Sequence, residues 1–260
     1  MKTPSRRHIL TAFGAAVGAG ALAACTTEAG PSTSPGGGQP DASVGGDGPH
    51  TSAGAIGRHP PTSDVVADGK QALERLLAGN ARFVAAQEQD LDEGIARRIA
   101  VSKGQHPFAT ILGCVDSRVP IELVFDQGLG DLVVVRSAGG ALDRSVIGSL
   151  EFGVTELHTP LLLVLGHQRC GALDATIKAL DKPTSHPGKL GYLVDTLAPA
   201  VRQTFGKPGD RLTNAVHANV THVLAELRQS PVIAPLEKSG KLQLTGAYYE
   251  LDTGKVTLEP

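Results

Sequence analysis

Aromatic side chains make up only 3% of the 260 residues and tryptophan is absent, so the chain has no platform on which bases or sugar rings could stack. A surplus of charge is missing as well. Against 26 acidic side chains stand 24 basic ones, a formal charge of −2 with no Lys/Arg cluster, which excludes the electrostatic footprint of a nucleic-acid binder. Three cysteines are too few for a disulfide scaffold. No apolar run reaches the roughly 18 residues of a membrane-spanning helix without dilution by small residues, which excludes a polytopic membrane protein. What is left is a core of Leu, Val, Ile and Ala, in a chain long enough for one or two domains.

The N-terminus reads as an address. Ser5-Arg6-Arg7-His8-Ile9-Leu10 sets two arginines before a mild apolar stretch, rich in Ala and Gly, that runs from Ile9 to Ala24. This is the pattern of a twin-arginine export signal. The stretch closes on Leu22-Ala23-Ala24-Cys25, which resembles a bacterial lipobox whose Cys25 is lipidated and becomes the first mature residue. An ordinary signal peptide with an incidental Cys is the alternative. Removing residues 1–24 takes away Lys2, Arg6 and Arg7 and no acid, so nothing favours a polybasic membrane contact. Residues 25–63 are rich in Gly, Pro, Ser and Thr, cannot bury a core, and read as a flexible tether. The expectation is a folded domain over 64–260, outside the cytoplasm in a bacterial cell envelope, touching the membrane only through a lipid at Cys25.

From Val65 to Gln87 apolar residues recur at helical spacing, interrupted by Gly79-Asn80, which predicts one or two helices. Phe108–Leu112, Asp131–Val135 and Leu161–Leu165 read as buried parallel strands. Helical stretches are predicted over Pro120–Gln127 and Ser145–Leu157, with a Gly-rich turn at Ser137-Ala138-Gly139-Gly140. The chain is then mostly helical from Cys170 to Gln229, and returns as short strands between Lys241 and Leu258 around the turn Asp252-Thr253-Gly254. Strands alternating with helices are the signature of an α/β fold with a mostly parallel central sheet.

The chemistry gathers at two strand ends. Cys114-Val115-Asp116-Ser117-Arg118 follows the first strand and His167-Gln168-Arg169-Cys170 follows a later one. Open parallel sheets collect ligands beyond the carboxyl ends of their strands, so the two segments can meet if those strands are neighbours. Two thiolates and one imidazole suit Zn²⁺, and three protein ligands leave the fourth position of a catalytic site. Asp116 can take that position itself or accept a hydrogen bond beside it, while Arg118 can clamp its carboxylate. A Cys114–Cys170 disulfide and a plain Asp116–Arg118 surface pair are the blander alternatives. The twin-arginine route carries proteins folded in a reducing cytoplasm, which weighs against the disulfide.

Cys-x-Asp-x-Arg, then His-x-x-Cys, with Arg136-Ser137-Ala138-Gly139-Gly140 between them, resembles the β-class carbonic anhydrases. The resemblance runs from about Leu73 to Gly254. It implies a four-stranded parallel sheet with one further strand, in a dimer with the metal sites near the interface. It further implies Cys114, His167 and Cys170 as Zn²⁺ ligands, Asp116 and Arg118 as a dyad, and a Gln105 amide that hydrogen-bonds substrate. Val133 and Phe152 fall where the family often has a Phe and a Tyr lining the pocket, and Ser137 and Gly140 replace two Asn of its turn. The implied activity is reversible hydration of CO₂ to bicarbonate. A zinc-binding lipoprotein without catalysis, or a hydrolase of carbonyl sulfide or carbon disulfide, would carry the same motifs.

Overall fold

A computed structural model describes residues 66–89, 94–182 and 185–260. The expected signal segment, with Arg6, Arg7 and Cys25, and the 25–63 tether lie outside them. Among the described residues no helix is long and apolar enough to cross a membrane.

Among the described residues the first elements are α1 (Gly69–Val84) and α2 (Ile95–Val101), then β1 (Ala109–Cys114), a single turn α3 (Ile121–Val124) and β2 (Leu132–Ser137). A 3₁₀ turn over Ala138–Gly140 leads into α4 (Arg144–Thr155), β3 (Leu161–His167), α5 (Gly171–Asp181), α6 (Leu190–Arg202), α7 (Arg211–Leu227) and α8 (Ile233–Lys238). β4 (Gln243–Tyr249) and β5 (Val256–Leu258) finish the fold. The helix starts follow side-chain chemistry. Asp68, Asp143 and Asp210 each accept a hydrogen bond from a backbone N–H of the first turn of α1, α4 and α7, at 2.9, 2.8 and 2.7 Å, satisfying donors that a helix leaves open.

The five strands lie in the order β2-β1-β3-β4-β5. The first four are parallel and β5 pairs antiparallel with β4. Successive residues of β1 and β3 face opposite sides, as a pleated strand requires. Ile111, Leu161, Leu163 and Leu165 join Leu76, Ile121 and Phe125 in one buried layer. Leu112, Leu162 and Val164 join Leu150, Val220 and Leu224 in the other. Both faces are covered, which is why these strands read as continuous apolar runs.

Three sequence expectations need correction. Gly79-Asn80 does not interrupt the first helix, because α1 runs straight through it. A Cβ at Gly79 would lie 1.8 Å from the Phe125 carbonyl oxygen, and Asn80 Nδ2 donates to the carbonyls of Val124 and Gly254 at 3.0 and 2.8 Å. The pair is a docking point rather than a break. β2 is half-buried instead of buried, since it is the edge strand and only β1 flanks it. The helix expected over Pro120–Gln127 shrinks to one turn, ended where Asp126 takes a positive φ of 48°.

Candidate metal centre

β1 and β3 are neighbours, with Ile111 opposite Leu163 and Leu112 opposite Val164. Their carboxyl ends therefore release Cys114 and His167 side by side. Cys170 sits at the N-cap of α5, directly after the turn that leaves β3. The ligand atoms of Cys114, His167 and Cys170 all lie within 4.8 Å of one another, and the three residues are 5%, 1% and 2% exposed. Both cysteines are free thiols, so they are not bridged.

Each donor is aimed by a neighbour. His167 Nδ1 lies 3.0 Å from the Gln168 carbonyl, a contact in which the ring donates its proton and turns the Nε2 lone pair inward. That Nε2 is buried and has no hydrogen-bond partner. Gly139 N donates to Cys114 Sγ at 3.2 Å. Cys170 precedes the first turn of α5, whose open backbone N–H groups favour a negatively charged sulfur. The pKa values of the two thiols move apart: the neighbouring Cys170 lowers that of Cys114, and Cys114, with burial, raises that of Cys170. A second thiolate here requires a cation to compensate it. An orphaned imidazole nitrogen facing two sulfurs provides the place for one, and the donor set fits a soft to borderline metal.

Asp116 stands at the mouth of this group. Arg118 donates to it from Nε at 2.9 Å, from Nη2 at 2.8 Å and from its backbone nitrogen at 3.0 Å. The guanidinium contact is the main reason that the carboxyl is held far below its ordinary range, so Asp116 is ionised. Its Oδ2 is 4.0 Å from His167 Nε2. The Asp116 side chain is 15% exposed and that of Arg118 52%, so the dyad forms one wall of an opening to solvent.

Several residues without an assigned role in the sequence reading hold the frame. Arg136 donates from Nε to the Cys114 carbonyl and from Nη2 to the Asp116 carbonyl, at 2.8 and 2.7 Å. Arg169 takes a positive φ of 54° between the two ligands of the His-x-x-Cys segment. Its guanidinium pairs with both Asp252 oxygens at 2.8 and 2.6 Å, and Gln168 exchanges hydrogen bonds with Asp252 at 3.0 and 3.2 Å. Arg136, Gln168 and Arg169 lay inside the quoted motifs and Asp252 inside the quoted turn. Their positions were visible in the sequence and their partners were not.

Gln105, Val133 and Phe152 do not reach the cluster of their own chain. Val133 pairs with Thr110, while Cys114 pairs with Ser137, so Val133 lies four residues back along the sheet, about 13 Å at the rise of a strand. Gly153, next to Phe152, packs on Thr110 at that same level, and Phe152 is 52% exposed. Gln105 precedes β1 at the amino end and is exposed. A cleft of about 420 Å³ opens at that end, bordered by Gly104, His106, Phe108 and Asp131. The reason is topological: parallel strands carry residues at their starts away from residues at their ends.

A parallel α/β sheet with a cysteine–histidine–cysteine group and a clamped aspartate beyond its carboxyl edge defines a metal-binding enzyme centre. The family profile described as "Carbonic anhydrase" matches residues 109–256. The chain is 39% identical over 191 residues to carbonic anhydrase 2 of Mycobacterium tuberculosis, covering 72% of this chain and 91% of that protein. It is 40% identical over 199 residues to the carbonic anhydrase of Mycolicibacterium smegmatis, covering 76% and 95%. The β-carbonic anhydrase CafA of Aspergillus fumigatus shares the fold, with a TM-score of 0.58 and 24% identity over 72% of this chain and 90% of that one. The chain belongs to the carbonic anhydrase family, in its β class.

Proposed function

We propose that the protein is a zinc-dependent carbonic anhydrase that interconverts CO₂ and bicarbonate. The observation that carries this reading is the buried, unpartnered His167 Nε2 facing two cysteine sulfurs, with Asp116 held out of the group by Arg118. Cys114, His167 and Cys170 would hold the metal. Zn²⁺ there would supply Lewis acidity sufficient to deprotonate water near neutral pH.

The remaining work falls to the chain. Asp116, kept ionised by Arg118, offers Oδ2 as a hydrogen-bond acceptor that orients the attacking oxygen toward CO₂. Arg118 keeps both carboxylate oxygens engaged, which would keep Asp116 from competing with water for a metal held by Cys114, His167 and Cys170. Arg136 fixes the backbone carbonyls on either side of Val115, so the ligand and the acceptor keep a set separation. Zinc content measured together with the rate of CO₂ hydration on the purified domain from residue 64 onward tests the reading. Stoichiometric zinc without hydration would instead favour a binding lipoprotein, and turnover of carbonyl sulfide or carbon disulfide alone would favour the hydrolase.

The same proposal includes a homodimer. Gln105, Val133 and Phe152 can line a substrate pocket only at the cluster of a second copy, given their distance from their own. The half-exposed valines of β2 and the exposed Phe152 leave an apolar face for such a contact. One set of solved relatives, from Sordaria macrospora, is described as tetrameric. Export by the twin-arginine route and anchoring at Cys25 rest on the sequence pattern of residues 1–25. Cys25→Ala should release the protein from the membrane fraction with its activity intact; a variant that stays membrane-bound would remove the anchor.

A further inference from the structure

Asn219 is a polar side chain with no place in any of the motifs, yet it is 5% exposed on α7 among Val216, Val220 and Val223. Its Nδ2 donates to the Gly139 carbonyl at 2.8 Å. The nitrogen of that same glycine donates to Cys114 Sγ at 3.2 Å. Gly139 is thus gripped at both ends, on one side by a buried amide and on the other by a ligand sulfur. Its φ of +66°, and the closeness of Leu197 and Ala172 to where a Cβ would stand (3.0 and 3.3 Å), leave room for glycine alone. Glycine is also the residue whose backbone rotates most freely. With the carbonyl released, the glycine backbone could turn its N–H off the sulfur against only the packing of Leu197 and Ala172 and the Ala141–Ala138 turn bond.

We propose that Asn219 is a positioning residue of the metal centre: by holding the Gly139 carbonyl it keeps the Gly139 N–H on Cys114 Sγ, and so sets the direction and donor strength of that thiolate. The inference rests on the metal reading given under Proposed function. Groups that orient a metal ligand from one layer out commonly contribute about 10–100-fold to metal affinity or activity. The alternative is a buried amide that only satisfies a buried carbonyl and ties α7 to the turn after β2. The two differ at the sulfur. An N–H···S bond lowers the energy of the sulfur lone pair, so its loss moves a sulfur-to-metal charge-transfer band to lower energy. A tie between helix and turn changes stability and leaves that band where it was.

The experiment uses the full domain loaded with Co²⁺, comparing wild type with Asn219→Leu, which removes the donor at similar volume, and Asn219→Asp, which removes it at the same shape. In both variants the thiolate–cobalt band should shift to lower energy, and the metal should pass to a chelator about 10–100-fold faster than from wild type. A lowered melting temperature with an unmoved band and an unchanged release rate would make Asn219 a structural residue and overturn the inference. A wild type that takes up no Co²⁺ would overturn the metal reading itself, a different failure. Should neither variant fold, wild type still decides: held by Asn219 and not by the ion, the Gly139 amide should be protected from solvent exchange in the metal-free as in the metal-loaded protein, and protection that appears only with the metal would overturn the proposal.

Discussion

Arg118 donates to both carboxylate oxygens of Asp116, at 2.9 and 2.8 Å, while Asp116 Oδ2 stays 4.0 Å from His167 Nε2. The aspartate therefore stands close to the metal group and is held back from it by Arg118, through both its guanidinium and its backbone nitrogen. Arg118→Ala should free the carboxylate to enter the fourth position, so the metal stays and hydration falls steeply. Asp116→Ala should leave the position open but lose the orienting acceptor, a loss of about 10²–10⁴ in rate. Azide binding separates the two, weak in the first variant and ready in the second. Equal azide affinity, or near-normal hydration in either, would reduce the dyad to a surface ion pair.

Cys114→Ser and Cys170→Ser each replace a thiolate by an alcohol that stays protonated at neutral pH and is a poor ligand. Both variants should lose zinc and all measurable hydration. Metal analysis after gel filtration checks this; full zinc in both would remove the ligand assignment.

Gln105, Phe152 and the cysteines can be tested as members of two different chains. Cys114→Ser alone should be inactive, and a Gln105→Ala/Phe152→Ala chain alone should be slow. Mixed dimers would contain one site with all its groups, so co-refolding the two should restore part of the activity. Activity no greater than that of the separate proteins would mean that these residues do not serve a partner.

The Asp252 carboxyl sits at about 2 instead of its usual 3.8, first because of the Arg169 guanidinium and then the Gln168 amide. A pKa lowered by folding contributes stability that is fully present above the unfolded value and is lost as pH falls through the folded one. The pair is exposed, so the contribution is small. Asp252→Asn should melt slightly below wild type at neutral pH, with a gap that begins to close below about pH 4 and is gone only below about pH 2. Melting curves across that range are the check, and a gap that widens on acidification would contradict the assignment.

The strands and the cluster were legible because their signals are local. Leu161–Leu165 is apolar on every residue since both faces of β3 are covered, and Cys114, Asp116 and Arg118 stand within one turn of chain. Gly79-Asn80 was misread because its helix-weakening composition is local while its reason is not: the carbonyl of Phe125 and the loop at Gly254 press on it from distant sequence. β2 was read as buried because an edge strand and a central one have the same composition. Helix α2 left no periodic signal, since none of its residues is buried. Asn219 belongs to no motif in the sequence, and only the fold shows which carbonyl it meets.

Parallel strands joined by crossover helices impose an order of events as well as a shape. Cys114 leaves the ribosome with β1, and β2 and α4 must follow before β3 delivers His167 and then Cys170. Until that crossover closes, a growing chain owns one thiol of the site and no pocket for an ion. Metal capture would therefore wait for the third of the five strands, when β1 and β3 have paired. A bound ion would mark molecules in which that pairing has already been made, before β4 and β5 join the sheet.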